Sequence, residues 1–341
     1  MDHSLVEALA RGGHAPHEVL FPDGTEVLVL PHGGRVLGLF PSGEDRNVLW
    51  THPRLAADAR AFFATSGWHN PGGERTWLAP EIDFFFPRYP DRSEYVPPQP
   101  FDAGEFDYQA VGGQVRLTGE FRLPGFRSRR PAAFRLHKHL AAAPNPVPDL
   151  GGIRFAGYAV TAELERLPDD PGEVEAGLWS LTQLPHGGEM LVPLRGRAGE
   201  PRIFFGAPGP GDVRVTAGAL RYRMSSEGEH KIGLRPRGLT GRAGHWLEGG
   251  AEAQLVVREF SADPSARYPD GPPADESDTG YAFEACSVAH PVLGRFNELE
   301  QLAPALAPDQ ARCADTARLW AFRGAVPAVR AAAVRLLGLS P

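Results

Sequence analysis

Apolar and polar positions alternate in short runs along most of the chain, with Gly, Pro, Asp and Asn between the runs. Alternation with period two marks half-buried strands, because successive side chains point to opposite faces. Residues 18–30 show it first: EVLF and EVLVL flank a Pro-Asp-Gly turn and predict a hairpin. Short apolar strands follow at 35–40 and 47–50. From 105 to 260 the pattern predicts strands at 105–111, 114–122, 132–139, 153–166, 175–184, 189–194, 202–205, 213–217, 219–225, 230–234 and 252–260. Strands at 281–289 and 295–301 come next, then a loop from 307 leading into a strand at 317–322. Helical spacing is confined to 4–11, stopped by Gly12-Gly13, to a short Ala-rich helix at 58–65 ending at Gly67, and to 326–337, with Pro327 in its first turn. Residues 84–100 form a Pro-rich extended loop, aromatic enough to pack over the core, and 263–278 an exposed loop.

Many evenly spaced strands with few helices define an all-β sandwich or barrel. No composition break divides the 341 residues, and no fixed-period repeat occurs. A single domain over 1–341 is expected, with a helix and lead-in at 1–17 and a capping helix at 326–341. The abundance of Gly and Pro fits a turn-rich β protein.

The formal net charge of −7, with no basic block, argues against a nucleic-acid partner. Lysine is nearly absent: Lys138 and Lys231 are the only two, and Arg carries the remaining positive charge. Cys286 and Cys313 make neither a disulfide framework nor a Cys-x-x-Cys spacing. No apolar run approaches the roughly 18 residues of a membrane span, and the N-terminal stretch lacks the apolar core of a secretory signal. A cytoplasmic protein without membrane contact is expected.

Two stretches carry candidate chemistry. In RFNELEQLAP, Glu298 and Glu300 share one strand face with Leu299 on the other. Like charges that close raise one pKa unless cations or hydrogen bonds intervene. The pair suits acid/base work or hydroxyl binding, and equally a solvated strand face. In GWHNPGGERTWLAPE, a Gly-rich turn runs into a strand bearing Arg75, Trp77 and Glu81. Tryptophan beside charged and amide groups suits a sugar site, since the ring stacks on C–H faces while polar groups bind hydroxyls; a buried Trp beside a surface ion pair explains it as well. Phosphate-loop and dinucleotide-binding glycine motifs are absent, as is a Gly-x-Ser-x-Gly elbow. His137 and His139 share a strand face and with a carboxylate could chelate zinc, although simple alternation also explains them.

Taken in order, Gly34-Arg35-Val36-Leu37, Asn47-Val48-Leu49-Trp50, the Gly-Gly-x-x-x-Trp-x-Ala-Pro-Glu segment 72–81, Trp179-Ser180-Leu181-Thr182-Gln183, Lys231-Ile232-Gly233 and Glu298-Leu299-Glu300 resemble the galactose mutarotase-like (aldose 1-epimerase-like) superfamily, in particular a bacterial branch of it. The resemblance spans residues 34 to 304. It implies a β-supersandwich whose concave face binds a sugar, with no cofactor and no resident metal. It implies Glu300 as the base that takes the anomeric proton, with Glu298 as the fallback, and Arg75, Trp77, Glu81, His69, Gln183 and Lys231 as substrate-binding residues. The chain departs from the family at the acid. The mid-chain His followed by aromatic-Asn-Leu is missing, and His186 is the best-placed substitute, ahead of His137, His139, His69 and His245. Sugar binding without turnover is the alternative. A glycosidase fits less well, because both carboxylates lie on one strand rather than bracketing a bond.

Overall fold

The computed structural model describes residues 3–65, 68–196, 199–270 and 277–341. Helix α1 (His3–Arg11) stops at Gly12-Gly13, as expected from the sequence. The hairpin β1 (His17–Leu20) and β2 (Glu26–Leu30) and strand β3 (Arg35–Phe40) follow. Two short helices, α2 (Pro53–Ala57) and α3 (Ala59–Ala64), replace the single expected helix, because Asp58 leaves helical geometry (φ −158°) and caps α3 through Ala61 N–H. The helix end expected at Gly67 lies outside the described residues. After β4 (Glu74–Ala79) come single-turn helices α4 (Glu81–Phe84) and α5 (Gln99–Asp102). They bound a Pro-rich strap whose Phe85 and Phe101 are buried.

The rest of the chain is nearly all strand: β5 (Asp107–Val111), β6 (Gln114–Pro124), β7 (Pro131–Ala142), β8 (Ile153–Arg166), β9 (Gly177–Pro185), β10 (Glu189–Pro193), β11 (Arg202–Phe205), β12 (Val213–Val215), β13 (Ala219–Arg223), β14 (Gly228–Leu234), β15 (Arg242–Gly249), β16 (Glu252–Glu259), β17 (Phe283–His290), β18 (Gly294–Leu302) and β19 (Arg312–Ala325). Helix α6 (Val326–Leu337) closes the chain, with Gly338 in the left-handed conformation at its end. Nine strands form one antiparallel sheet in the order β1-β2-β3-β4-β9-β18-β17-β14-β11, and ten form a second, β12-β13-β10-β15-β16-β19-β8-β7-β6-β5. This is the two-sheet supersandwich that the sequence resemblance implies.

Four expectations are corrected. Residues 47–50 are not a strand, because the Asn47 amide stands in for a strand partner: its Oδ1 accepts from Leu39 and Leu49 N–H and its Nδ2 donates to the Leu37 carbonyl. Strand β15 was not legible, since Gly244 and Gly249 and the charged Arg242 and Glu248 blur its alternation. Strand β19 begins five residues before the expected 317, its outward positions being polar. The loop expected to be exposed at 263–278 is instead buried at Tyr268, Asp270 and Asp278, and its residues 271–276 lie outside the described residues.

The core lies between the sheets, lined by inward residues such as Leu78, Phe134, Leu136, Tyr158, Leu164, Leu299 and Leu319. Polar groups cross it. Glu74 of the nine-stranded sheet accepts from Tyr158 Oη (3.0 Å) and lies 3.5 Å from Lys138 Nζ. Arg258 of the ten-stranded sheet donates to Gln301 Oε1 and Thr182 Oγ1 of the other (2.6 and 2.8 Å). Burial alone would raise the Glu74 pKa, but Lys138, Arg258 and the Tyr158 hydrogen bond outweigh it and hold the pKa below its ordinary value. Helix α6 packs Val329, Ala332, Ala333 and Leu336 against Trp246, Leu255, Val257, Trp320 and Phe322 on the outer face of the ten-stranded sheet. No helix among the described residues is long and apolar enough to cross a membrane.

Candidate functional site

The outer face of the nine-stranded sheet carries the polar residues singled out from the sequence. Antiparallel pairing puts Arg75 opposite Leu181, Trp77 opposite Trp179, Glu298 opposite Gln183, Glu300 opposite Leu181 and Glu284 opposite Glu300. Lys231 faces Cys286, which faces Glu298. Paired residues share a face, so four adjacent strands and β14 present one polar surface. Their alternate positions, Thr76, Ser180, Thr182 and Leu299, face the core or its polar crossings.

Two linked clusters form there. In one, Glu298 Oε1 accepts from Arg75 Nη2 (3.0 Å) and Gln183 Nε2 (2.9 Å), and the Arg75 guanidinium lies 3.9 Å over the Trp77 ring. In the other, Lys231 Nζ lies 2.7 Å from Glu284, 3.2 Å from Glu300 and 3.6 Å from Glu81, and 4.4 Å over the Trp179 ring. Trp179 Nε1 donates to Glu300 Oε2 at 2.8 Å. Glu81 joins from α4, with its backbone N–H on Asp270 and its carboxylate accepting from Tyr95 Oη.

Five carboxyl groups therefore meet two cations in a site where Glu300 is 0% and Lys231 2% exposed. Burial of an ionised carboxylate is costly. Burial pushes Glu300 up to about 7, with Lys231 opposing and Glu298 and Glu81 reinforcing the rise. Burial, opposed by Lys231 and reinforced by Asp270 and Glu300, drives Glu284 well above its ordinary value. Asp270 rises to about 6 through burial and the nearby Glu81 charge. Burial would lower the Lys231 pKa, but Glu284, Glu300 and Glu81 hold the ammonium well above its ordinary value. A carboxyl that titrates near neutrality beside a fixed cation can take up and return a proton at neutral pH.

The strap covers this face. Tyr95 stacks on Phe85, which packs against Trp77 and Trp179. At its far end, Asp102 accepts from Arg35 (2.5 Å), Trp77 Nε1 (2.9 Å) and Trp68 Nε1. Arg35, Tyr95, Asp102, Trp179, Asp270 and Glu284 thus belong to the site or its cover, although the sequence reading assigned them no role.

Of the residues expected at the site, the structure brings together Glu298, Glu300, Arg75, Trp77, Glu81, Gln183 and Lys231. It sets two histidines apart. His186 follows β9 on a turn beside Arg295, Glu227 and the Ser226 backbone, with no hydrogen bond to either glutamate; burial and Arg295 lower its pKa. His69 Nε2 meets Thr65 beyond α3. Two further histidines considered as acids lie elsewhere. His245 is buried against the Gly187 carbonyl and Asn297, where burial lowers its pKa to about 4. His137 bonds Thr118 on the ten-stranded sheet, and among the described residues neither it nor His139 belongs to a cluster able to hold a metal. Cys286, Glu298 and Glu300 do place ligand atoms within 4.8 Å of one another. Arg75 and Lys231 already engage those carboxylates, and burial with Glu298 pushes the Cys286 thiol well above its ordinary pKa, so a cation there would compete with two fixed ones.

The arrangement is thus an antiparallel two-sheet sandwich with a buried patch of carboxylates and cations on one outer face. No protein-family model matches the chain, and no curated protein does. Among solved structures, the Slr1438 protein from Synechocystis sp. PCC 6803 aligns over 92% of this chain and 96% of its own, at 13% identity and TM-score 0.52. The galactose 1-epimerase from Lactobacillus acidophilus NCFM aligns over 91% and 94%, at 10% identity and TM-score 0.47. The GalM/aldose epimerase homologue from C. elegans aligns over 92% and 99%, at 10% identity and TM-score 0.44. At such identities the likeness, to the Slr1438 protein above all, is one of fold: two large antiparallel sheets packed as a β-sandwich.

Proposed function

We propose that this protein binds a sugar on the outer face of its nine-stranded sheet and can interconvert its anomers there. The observation that carries the reading is Glu300, a buried carboxyl with a pKa near 7 beside Lys231, on the same face as two tryptophans and the Arg75–Glu298–Gln183 cluster. In this reading Trp77 and Trp179 supply ring surface, and Arg75, Gln183 and Glu81 bind hydroxyls. Glu300 takes the anomeric hydroxyl proton as the ring C–O bond breaks. In this reading the ring oxygen receives a proton from Glu284, whose pKa burial raises against the pull of Lys231, in place of the histidine that mutarotases use. Reclosure on either face reverses both transfers. The strap between α4 and α5 swings aside to admit the sugar. A cytoplasmic location is part of the reading.

Polarimetry of freshly dissolved α-glucose, α-galactose, xylose and arabinose tests it. Acceleration above the spontaneous rate, abolished in Glu300→Gln, is expected. Acceleration that survives this change would remove Glu300 from the mechanism. A second reading, sugar binding without turnover, is favoured by the absence, among the described residues, of any histidine hydrogen-bonded to either glutamate. It is distinguished by a sugar-dependent rise in melting temperature with no change in mutarotation.

A further inference from the structure

Away from that face, three chain segments that share no sequence spacing bring two imidazoles onto one carboxylate. His14 follows α1, where Gly13 adopts φ +88° and His14 N–H returns to the Leu9 carbonyl. His32 sits in the β2–β3 turn, and Glu105 on the chain leaving the strap. His32 and Glu105 form an antiparallel bridge, flanked by hydrogen bonds from Gly33 to Gly104 and from Phe106 to Pro31. The backbone therefore fixes all three positions independently of the side chains.

His32 Nδ1 lies 2.8 Å and His14 Nδ1 3.9 Å from the same oxygen, Glu105 Oε1. The three groups offer ligand atoms within 4.8 Å of one another. A hydrogen bond from His32 alone would satisfy that oxygen; His14, packed on the His32 ring at 4.4 Å, brings a second ring nitrogen towards it. Zinc bonds of about 2.0–2.2 Å place tetrahedral ligands about 3.3 Å apart, and the two observed separations bracket that value. The histidine side chains are 21% and 14% exposed and that of Glu105 67%, so the site is walled on one side and open to solvent on the other. His14 packs on Phe63 of α3 at 4.2 Å, which fixes the ring. Among the described residues, the ion pairs of Glu105 are with these two histidines, and no Arg or Lys competes for it.

We propose that His14, His32 and Glu105 bind a divalent transition metal of the zinc class, with the remaining coordination position open to water. Two imidazoles and one carboxylate are a donor set of that class rather than of calcium or magnesium. The metal clamps the end of α1 and the β2–β3 turn to the chain three residues beyond Asp102, and so anchors the same end of the strap that Asp102 holds.

The full chain, stripped by chelator and dialysed, is titrated with ZnCl2 by calorimetry and with CoCl2 by visible absorption. One equivalent should bind, with the d–d bands of four- or five-coordinate cobalt, and His32→Ala or Glu105→Gln should each weaken it by roughly ten-fold or more. Glu105 is exposed, so Glu105→Gln reports on ligation even if His32→Ala disturbs the turn. His137→Ala, on the distant His137/His139 strand, should leave binding unchanged. Absence of zinc binding in the wild type would overturn the proposal. So would an affinity equal in wild type and Glu105→Gln, or loss of the bound equivalent in His137→Ala.

Discussion

Replacing Glu300 by glutamine should stabilise this protein at alkaline pH while removing its proposed base. The wild-type carboxyl titrates at about 7 in the fold, against an ordinary value of 4.5. Its folded pKa is raised, so between those values the native state holds a proton that the unfolded chain has released. Stability then falls as pH rises through that window and is level above it. At about 1.4 kcal/mol per pH unit, the loss is roughly 3 kcal/mol by pH 8. Glutamine cannot ionise, yet its amide occupies nearly the same volume beside Trp179 Nε1 and Lys231 Nζ. Glu300→Gln should therefore match the wild type near pH 4.5 and exceed it at pH 8 by up to about 3 kcal/mol, a shift of several degrees in melting temperature for a chain of this size. Urea or thermal unfolding of both proteins at the two pH values measures the difference, and polarimetry on the same samples measures the activity. A variant less stable than the wild type at pH 8 would mean that Lys231 more than repays the burial of an ionised Glu300, and the assignment of a near-neutral pKa would be wrong.

Other outcomes follow from the same contacts. Lys231→Met strips the ammonium from Glu284, Glu300 and Glu81 and should cost about 3–5 kcal/mol in urea unfolding; a neutral effect would show that these carboxyls are already fully protonated. Tyr158→Phe removes the hydroxyl donor to buried Glu74, with an expected loss of about 1.5–3 kcal/mol and no effect on sugar binding. Asp102→Ala releases Arg35, Trp77 and Trp68 together. Limited proteolysis should then cut the strap between 84 and 98 faster than in the wild type, and equal cleavage rates would show that Asp102 does not hold it down.

Period-two alternation was enough to place Glu298 and Glu300 on one face, because that geometry is local. The same rule put Arg75 and Trp77 together, and α6 was legible to the residue from Pro327 and its apolar spacing. What alternation cannot supply is which strands lie side by side. Glu284 and Trp179 become neighbours of Glu300 only through the order β9-β18-β17, and Asp102 reaches Arg35 across 67 residues of chain. His186 is close to the site in sequence yet lies apart from it, because the turn after β9 sets it beside Arg295, Glu227 and the Ser226 backbone. One signal was available and carried more than genome composition: of 35 basic residues only Lys138 and Lys231 are lysines, and both are buried against carboxylates. A compact ammonium fits between oxygens where a guanidinium fork does not, so in an Arg-rich chain the two exceptions marked two of its buried ionic centres, alongside arginine pairs such as Arg35–Asp102 and Arg75–Glu298.

The polar crossings of the core also set what kind of motion the protein can make. An interface of aliphatic side chains alone lets two layers glide past each other by small steps, since one methyl contact replaces another at little expense. Here Arg258 spans to Thr182 and Gln301, Gln301 reaches on to Asp315, and Glu74 spans to Lys138 and Tyr158. A slip of one residue would strand charges in a dry interior. The two sheets are in effect riveted at separated points and resist sliding, so the proposed entry of a sugar calls on the strap at the periphery rather than on shear through the middle.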